Sequence, residues 1–412
     1  MMNSLRQLVR LTQAVVVLSL TALPVRASAQ SSDPYLARAK RVLATTPLID
    51  GHNDLPWRIR EDTIARGNVD AYKLRSRTPG HTDFARLKAG MIGAQFWSVY
   101  TPGEWRDSGY AKTQLQQIDI ARRVIAKYPD KLALALSVAD IRRDFRDKKI
   151  GSLLGLEGGH AIENSLGLLR DYYDLGVRYM TLTHNVTLSW ADAALDSARH
   201  GGLTPFGDSV VLEMNRLGML VDLAHVSPGT MSDALNVTRA PVIFSHSAAR
   251  ALVDHARNVP DSILRRVPAN GGVVMVPFVT SFVSPEVYAY DRAQGAAMRE
   301  ARRSGADTVA AKKEWERAHT KPRATLAQVA DQIEYVKKIV GPDHVGIGGD
   351  FDGITDVVVG LEDVSKYPDL FAELARRGWS DADLRKLAGE NLLRVFGAAE
   401  KVSARMKSTA SR

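Results

Sequence analysis

The chain has 412 residues, of which 45% are hydrophobic and 25% charged, and none is cysteine. That excludes disordered chains, disulfide scaffolds, zinc fingers, iron–sulfur proteins and thiol enzymes, and any metal must be held by His, Asp and Glu. The net charge is +9, three of it from Arg6, Arg10 and Arg26 in the first 29 residues, and no basic tract with interleaved aromatics suggests a nucleic-acid partner.

Arg6 and Arg10 precede a short apolar stretch from residue 11 to residue 23, and Ala27-Ser28-Ala29 follows before Gln30. This pattern reads as a secretory signal peptide over 1–29. The apolar run is too short and broken for a comfortable transmembrane helix. The tail carries no anchor signal, so the expectation is an exported protein, periplasmic or secreted, with no membrane anchor after cleavage.

From residue 30 to 412 the pattern predicts a single domain. Short apolar runs fall at 47–50, 93–100, 152–156, 178–183, 219–224, 241–245, 272–279 and 345–349. Continuous Val/Ile/Leu-rich runs fit parallel strands buried on both faces. Between them stand helix signals: Asn164 or Ser165 to Gly176, Thr204-Pro205 to Gly218, Ser227-Pro228, and Thr325 to Gly341-Pro342. Eight such alternations predict a (β/α)8 TIM barrel, with a doubly wound open sheet as the alternative. The stretch 290–321, rich in Ala, Arg, Lys and Glu, reads as a helical insertion, either a solvated face or a lid. Residues 380–396 read as a closing helix, with Ser380 and Asp383 spaced as a capping box.

His52, His184, His225 and His246 lie at or just beyond the C-terminal end of a predicted strand, as do Asp54, Glu157 and Asp350. In a barrel those ends converge on one mouth. His52 and Asp54 are i and i+2, so an extended chain points both the same way. Each residue alone has a plainer reading: Asp54 in a turn, Glu157 as a structural acid, either histidine as packing. Together His52, Asp54, Glu157, His225 and His246 form a ligand set too large for one tetrahedral zinc, and one that suits two metals sharing a carboxylate. Glu157 is the natural bridge. The imidazole and carboxylate donors favour Zn2+ over Mg2+ or Ca2+, with Mn2+ and Co2+ also suitable. A metal pair of this kind does hydrolysis. His184 is placed to stabilise an oxyanion and Asp350 to move protons. Asp352 reads better as a turn former. Arg257 is either a surface arginine or a clamp for a substrate carboxylate.

These segments together resemble the membrane dipeptidase (renal dipeptidase) family, peptidase family M19. The motifs are Asp50-Gly51-His52-Asn53-Asp54-Leu55-Pro56-Trp57, Glu157-Gly158-Gly159-His160, Leu182-Thr183-His184-Asn185, the strand-end His225 and His246, Arg257-Asn258-Val259-Pro260-Asp261, and residues 346–353. The resemblance implies a metallo-dipeptidase of broad specificity, extending to D-residues at the C-terminal side and to some β-lactams. It implies two Zn2+ per chain, bridged by Glu157 and a water or hydroxide that attacks the peptide bond. His52, Asp54 and Glu157 would hold one ion, and Glu157, His225 and His246 the other. His184 would contact the substrate, Arg257 hold its C-terminal carboxylate, and Asp350 act as proton shuttle. His160 and His255 travel with the motifs and read as outer hydrogen bonders. Small dipeptides are the expected partners, and a homodimer is consistent with the family. The chain departs in having no cysteine for a linking disulfide, and Pro277-Phe278-Val279 where the family often shows Asn-Phe-Tyr. The rivals are another binuclear amide or ester hydrolase on the same barrel, and an exported binding protein that has kept the scaffold.

Overall fold

The computed structural model describes residues 33–105 and 109–410. The signal segment expected over 1–29 lies outside the described residues. Among the described residues nine strands run β1 (Leu48–Asn53), β2 (Ile92–Tyr100), β3 (Leu132–Leu134), β4 (Ile150–Glu157), β5 (Val177–Thr181), β6 (Leu220–Asp222), β7 (Ile243–Phe244), β8 (Val273–Val276) and β9 (Val345–Ile347). Every pairing between them is parallel. The pairing of β2 with β4 closes the sheet, so eight strands make the (β/α)8 barrel that the apolar runs predict. The ninth, β3, was not expected. It pairs with the first residues of β4, on the edge that β5 takes over from Leu154 onward.

Alternation sorts the strand side chains into two sets. Ile49, Phe96, Leu153, Tyr179, Ile243 and Met275 share one cluster with Leu392, Leu393 and Phe396 of the last helix. These are the inward residues, closed at the bottom by that helix. Trp97, Leu154, Met180, Val221, Phe244 and Val274 belong to the larger outer cluster, against the surrounding helices. Strands buried on both faces have no polar side to offer, which explains their unbroken apolar runs.

The helix signals hold with local reasons. Ser165 and Ser227 cap helices Leu166–Asp174 and Pro228–Val237 by accepting from the backbone N–H of Leu168 and Thr230. Gly218 ends Pro205–Leu217 in the left-handed conformation. Two details differ. Ser380 does accept from the Asp383 N–H, but the Asp383 carboxylate is drawn 2.8 Å from Lys337 Nζ instead of completing a box. The closing helix also runs past residue 396, as Asn391–Ala410, after a π turn over Lys386–Glu390. At Gly389 in that turn a Cβ would stand 2.3 Å from the Pro47 carbonyl oxygen, so the helix reaches β1 only without a side chain. Between β8 and β9 stand two largely exposed helices, Pro285–Arg303 and Thr308–Ala318.

Candidate metal centre

The C-terminal strand ends bring the chemistry together. Tyr100, Glu157, Thr181 and Asp222 stand in lateral register on β2, β4, β5 and β6. His52 lies on β1, and Asp54 follows it. Asp54 is not on the strand: the chain has already turned, and Asp54 is the N-cap residue of helix Leu55–Arg60. His52 Nε2 and Asp54 Oδ2 nevertheless converge at 3.3 Å. His184, His225 and Asp350 each stand three residues beyond their strand, and His246 two. His225 and Asp350 hold φ of 66° and 63°, a left-handed conformation rare for side-chain-bearing residues. Strained backbone of this kind collects at functional sites.

Glu157 is the hub. Its Oε2 faces His52 Nε2 at 3.4 Å and accepts from Ser98 Oγ at 3.1 Å. Its Oε1 faces His225 Nε2 at 3.0 Å, His246 Nε2 at 3.6 Å and His184 Nε2 at 3.9 Å. Three groups of candidate ligand atoms result, each within 4.8 Å: His52, Glu157 and His246; Glu157, His184 and His225; His52, Asp54 and Asp350. Gly353 packs on the last group, where a Cβ would meet both Asp54 and Asp350 oxygens.

The outer hydrogen bonds fix what the ring nitrogens offer. Ser245 Oγ donates to Asp222 Oδ2 at 2.6 Å, so it accepts from His246 Nδ1 at 2.9 Å. Asn185 Oδ1 likewise accepts from His225 Nδ1 at 3.0 Å. Both protons are therefore on Nδ1, and both Nε2 atoms present lone pairs, only 2.9 Å apart. Two facing lone pairs in a buried site repel unless a cation sits between or beside them. His52 Nε2 is also buried with no hydrogen-bond partner. This donor set fits divalent transition-metal ions, and its outer bonds are the kind that orient metal-ligating histidines.

The electrostatics agree. Burial, then Arg257 and the neighbouring histidines, hold His225 and His246 well below the ordinary imidazole range, keeping them neutral. Burial lifts Glu157, but the neighbouring His52 outweighs it and keeps the carboxyl well below its usual value. Burial, with Asp54 and Glu157 nearby, raises Asp350 well above the carboxylate range, against the pull of His52 and Arg257. Arg257 is fully buried, which pushes it down to about 10, still charged at neutral pH. It donates to the His246 carbonyl at 3.3 Å, lies 5.4 Å from the Phe282 ring, and leaves Nε without an acceptor. Among the described residues no carboxylate pairs with it.

The structure thus gathers His52, Asp54, Glu157, His184, His225, His246 and Asp350 and sets Arg257 beneath His246. His255 supports Arg257, accepting from its backbone N–H at 3.1 Å. His160 does not support a ligand: its buried Nε2 bonds the Thr101 carbonyl at 2.7 Å. Asp352 is a clamp, accepting from the His81 N–H at 2.6 Å while its own N–H donates back to His81 Nδ1. Sequence reasoning passed over Tyr179, 2.8 Å from His52 Nδ1, and Asp222. An acid closing the apolar run at Asp222 was the available signal.

A closed parallel barrel with histidines and carboxylates gathered at its mouth is the architecture of a metal-dependent hydrolase. Over residues 36–410 the chain matches the family Membrane dipeptidase (Peptidase family M19). The chain belongs to this family of metallo-dipeptidases, which hydrolyse peptide bonds of small peptides. Among solved structures it is similar to the probable dipeptidase PvdM from Pseudomonas aeruginosa, with 25% identity, TM-score 0.78, and 90% of this chain and 99% of that one covered. An amidohydrolase from Pseudomonas aeruginosa shares the fold at 24% identity and TM-score 0.67, covering 88% and 98% of the two chains. So does a metallopeptidase from Rhodobacter sphaeroides liganded with a phosphinate mimic of the dipeptide L-Ala-D-Ala, at 22% identity and TM-score 0.71, covering 86% and 99%.

Proposed function

We propose that this chain is an exported dipeptidase working with two zinc ions that share Glu157. The observation that carries this reading is the split of Glu157, one oxygen toward His52 and the other toward the two bare Nε2 atoms of His225 and His246. On this reading His52 and Asp54 complete one site, and His225 and His246 the other. Bound ions would supply an activated water and a polarised scissile carbonyl. Arg257, a buried cation without a carboxylate, takes the C-terminal carboxylate of the substrate. That requirement favours dipeptides over esters and lactones. His184 Nε2 donates to the oxygen that gains charge at the scissile carbon. Asp350 takes the proton of the attacking water and returns it to the departing amine. Recognition of both substrate termini within one site would restrict the enzyme to dipeptides. The ligand of the Rhodobacter protein makes L-Ala-D-Ala the first D-containing substrate to try, and the family resemblance makes a β-lactam the second class. Export rests on the sequence of residues 1–29, and N-terminal sequencing of protein from the cell exterior or periplasm tests it.

The test of the whole reading is hydrolysis of an L,L and L,D dipeptide panel by zinc-loaded and chelator-stripped protein, with metal counted by elemental analysis. Two ions per chain and chelator-sensitive cleavage are expected. Fewer than one ion per chain, or no cleavage of any dipeptide, overturns it.

A further inference from the structure

At the opposite end of the barrel, a cavity of about 560 Å3 opens where β2 and β4 begin. That volume is in the range of small-molecule sites, roughly 300–1,000 Å3. Its floor is apolar: Leu43, Phe84, Leu87, Met91, Phe145 and Ile150. Phe84, Met91, Phe145 and Ile150 are only partly covered. Its rim is four lysines, Lys88, Lys131, Lys148 and Lys149, and no acid lines it. Lys131 stands 3.6 Å from Asp130, which itself pairs with Arg75 at 2.7 Å. Among the described residues no carboxylate is within ion-pair distance of Lys88, Lys148 or Lys149.

Backbone conformation gives a second, independent observation. Met91 and Lys148 sit at φ 58° and 60°, each just past the end of a helix, Phe84–Ala89 and Val138–Arg146. This is the position where glycine is the unstrained choice. Both positions instead carry a long side chain, and both side chains form the cavity wall.

We propose that this cavity binds a single-chain amphiphile with an anionic head, a long-chain carboxylate. The acyl chain lies against the phenylalanines and Met91, and the head group meets the unpaired lysines. The apolar side chains line a hollow rather than project from the surface, so the fit is to an entering chain and not to a bilayer face.

Calorimetric titration of the full chain as purified, with carboxylates from octanoate to palmitate below their micelle-forming concentrations, tests this. Saturable binding at one site is expected, tightening by about fourfold per methylene until the cavity is full. Dodecyltrimethylammonium, with the opposite charge, should bind at least about tenfold more weakly than laurate. Lys148→Gly relieves the strained conformation, so its melting temperature should hold or rise. Combined with Lys149→Gln it should weaken laurate binding at least about tenfold, and dipeptide hydrolysis should be unchanged. Met91→Gly should lose affinity. No saturable binding of laurate or palmitate, equal binding of the cationic amphiphile, or affinity untouched in these variants overturns the proposal. So does association with anionic phosphatidylglycerol vesicles in the absence of carboxylate binding.

Discussion

The two ends of this barrel are built from the same eight strands and obey opposite rules. At the bottom, Leu392, Leu393 and Phe396 of the closing helix meet inward Ile49, Phe96 and Met275, and apolar burial is the whole argument. At the mouth, a few residues further along the strands, His52, Glu157, His225, His246 and Asp350 are buried with charge or lone pairs facing one another. Burying such groups costs free energy unless they are paired, and here the pairing within the protein is incomplete. The bottom holds the barrel together; the mouth is held in place by it. Damage to one end should therefore leave the other's property largely intact, and variants can break that separation.

The largest effect is expected from Glu157→Gln. It removes the carboxylate shared by two of the three ligand groups, so metal content should drop and dipeptide cleavage should vanish, as read by elemental analysis and hydrolysis. The melting temperature of the metal-free variant should stay near that of the metal-free parent, because the bottom is untouched. A variant that keeps two ions per chain would contradict the shared role. Asp350→Asn should come next: kcat falls by about 10²–10⁴-fold with metal retained. Metal loss in that variant would instead make Asp350 a ligand, as its closeness to His52 and Asp54 permits.

How much of this contrast was written in the sequence depends on the kind of signal. The barrel was legible because strands buried on both faces leave unbroken apolar runs, and Ser165, Ser227 and Gly218 mark helix ends by local chemistry. Strand ends were legible less sharply: 241–245 shortens to Ile243–Phe244, since pairing gives way to the loop that carries His246. The short β3 was missed because three residues, Leu132-Ala133-Leu134, give no period. The histidines and acids at the mouth could be found because position along each strand is a local property. Their partners could not. Tyr179 is one more inward aromatic in sequence, and only the closed barrel sets its hydroxyl against His52, 127 positions away. His160 was misjudged for the same reason, since adjacency to Glu157 in sequence says nothing about which way a loop turns.

Those long-range partners supply the next tests. Ser245→Ala removes the acceptor that keeps the His246 proton on Nδ1. Metal affinity should weaken by about 10–100-fold, read by competition with a chromogenic chelator. If affinity is unchanged, the tautomer is not set by Ser245. Arg257→Met should act through KM: substrates with a free C-terminal carboxylate should lose about 10-fold or more, whereas their C-terminal amides, already poor, should change little. A loss shared equally by acids and amides would place Arg257 in the scaffold rather than against the substrate.

The smallest effect on activity, and the strictest test of the separation, belongs to the bottom. Phe396 is buried in the cluster that joins the closing helix to the inward strand residues. Phe396→Ala should cost about 3–5 kcal/mol of stability through lost burial and the cavity left behind. Denaturant unfolding measures that cost. Below the melting transition, kcat and KM should remain within about twofold of the parent, because the ligand loops leave the strands at their other ends. A variant as folded as the parent but with kcat reduced tenfold would mean that packing under the barrel is transmitted along β1 and β9 to His52 and Asp350. The two ends would then be one mechanical unit, with the apolar floor setting the geometry of the metal site directly.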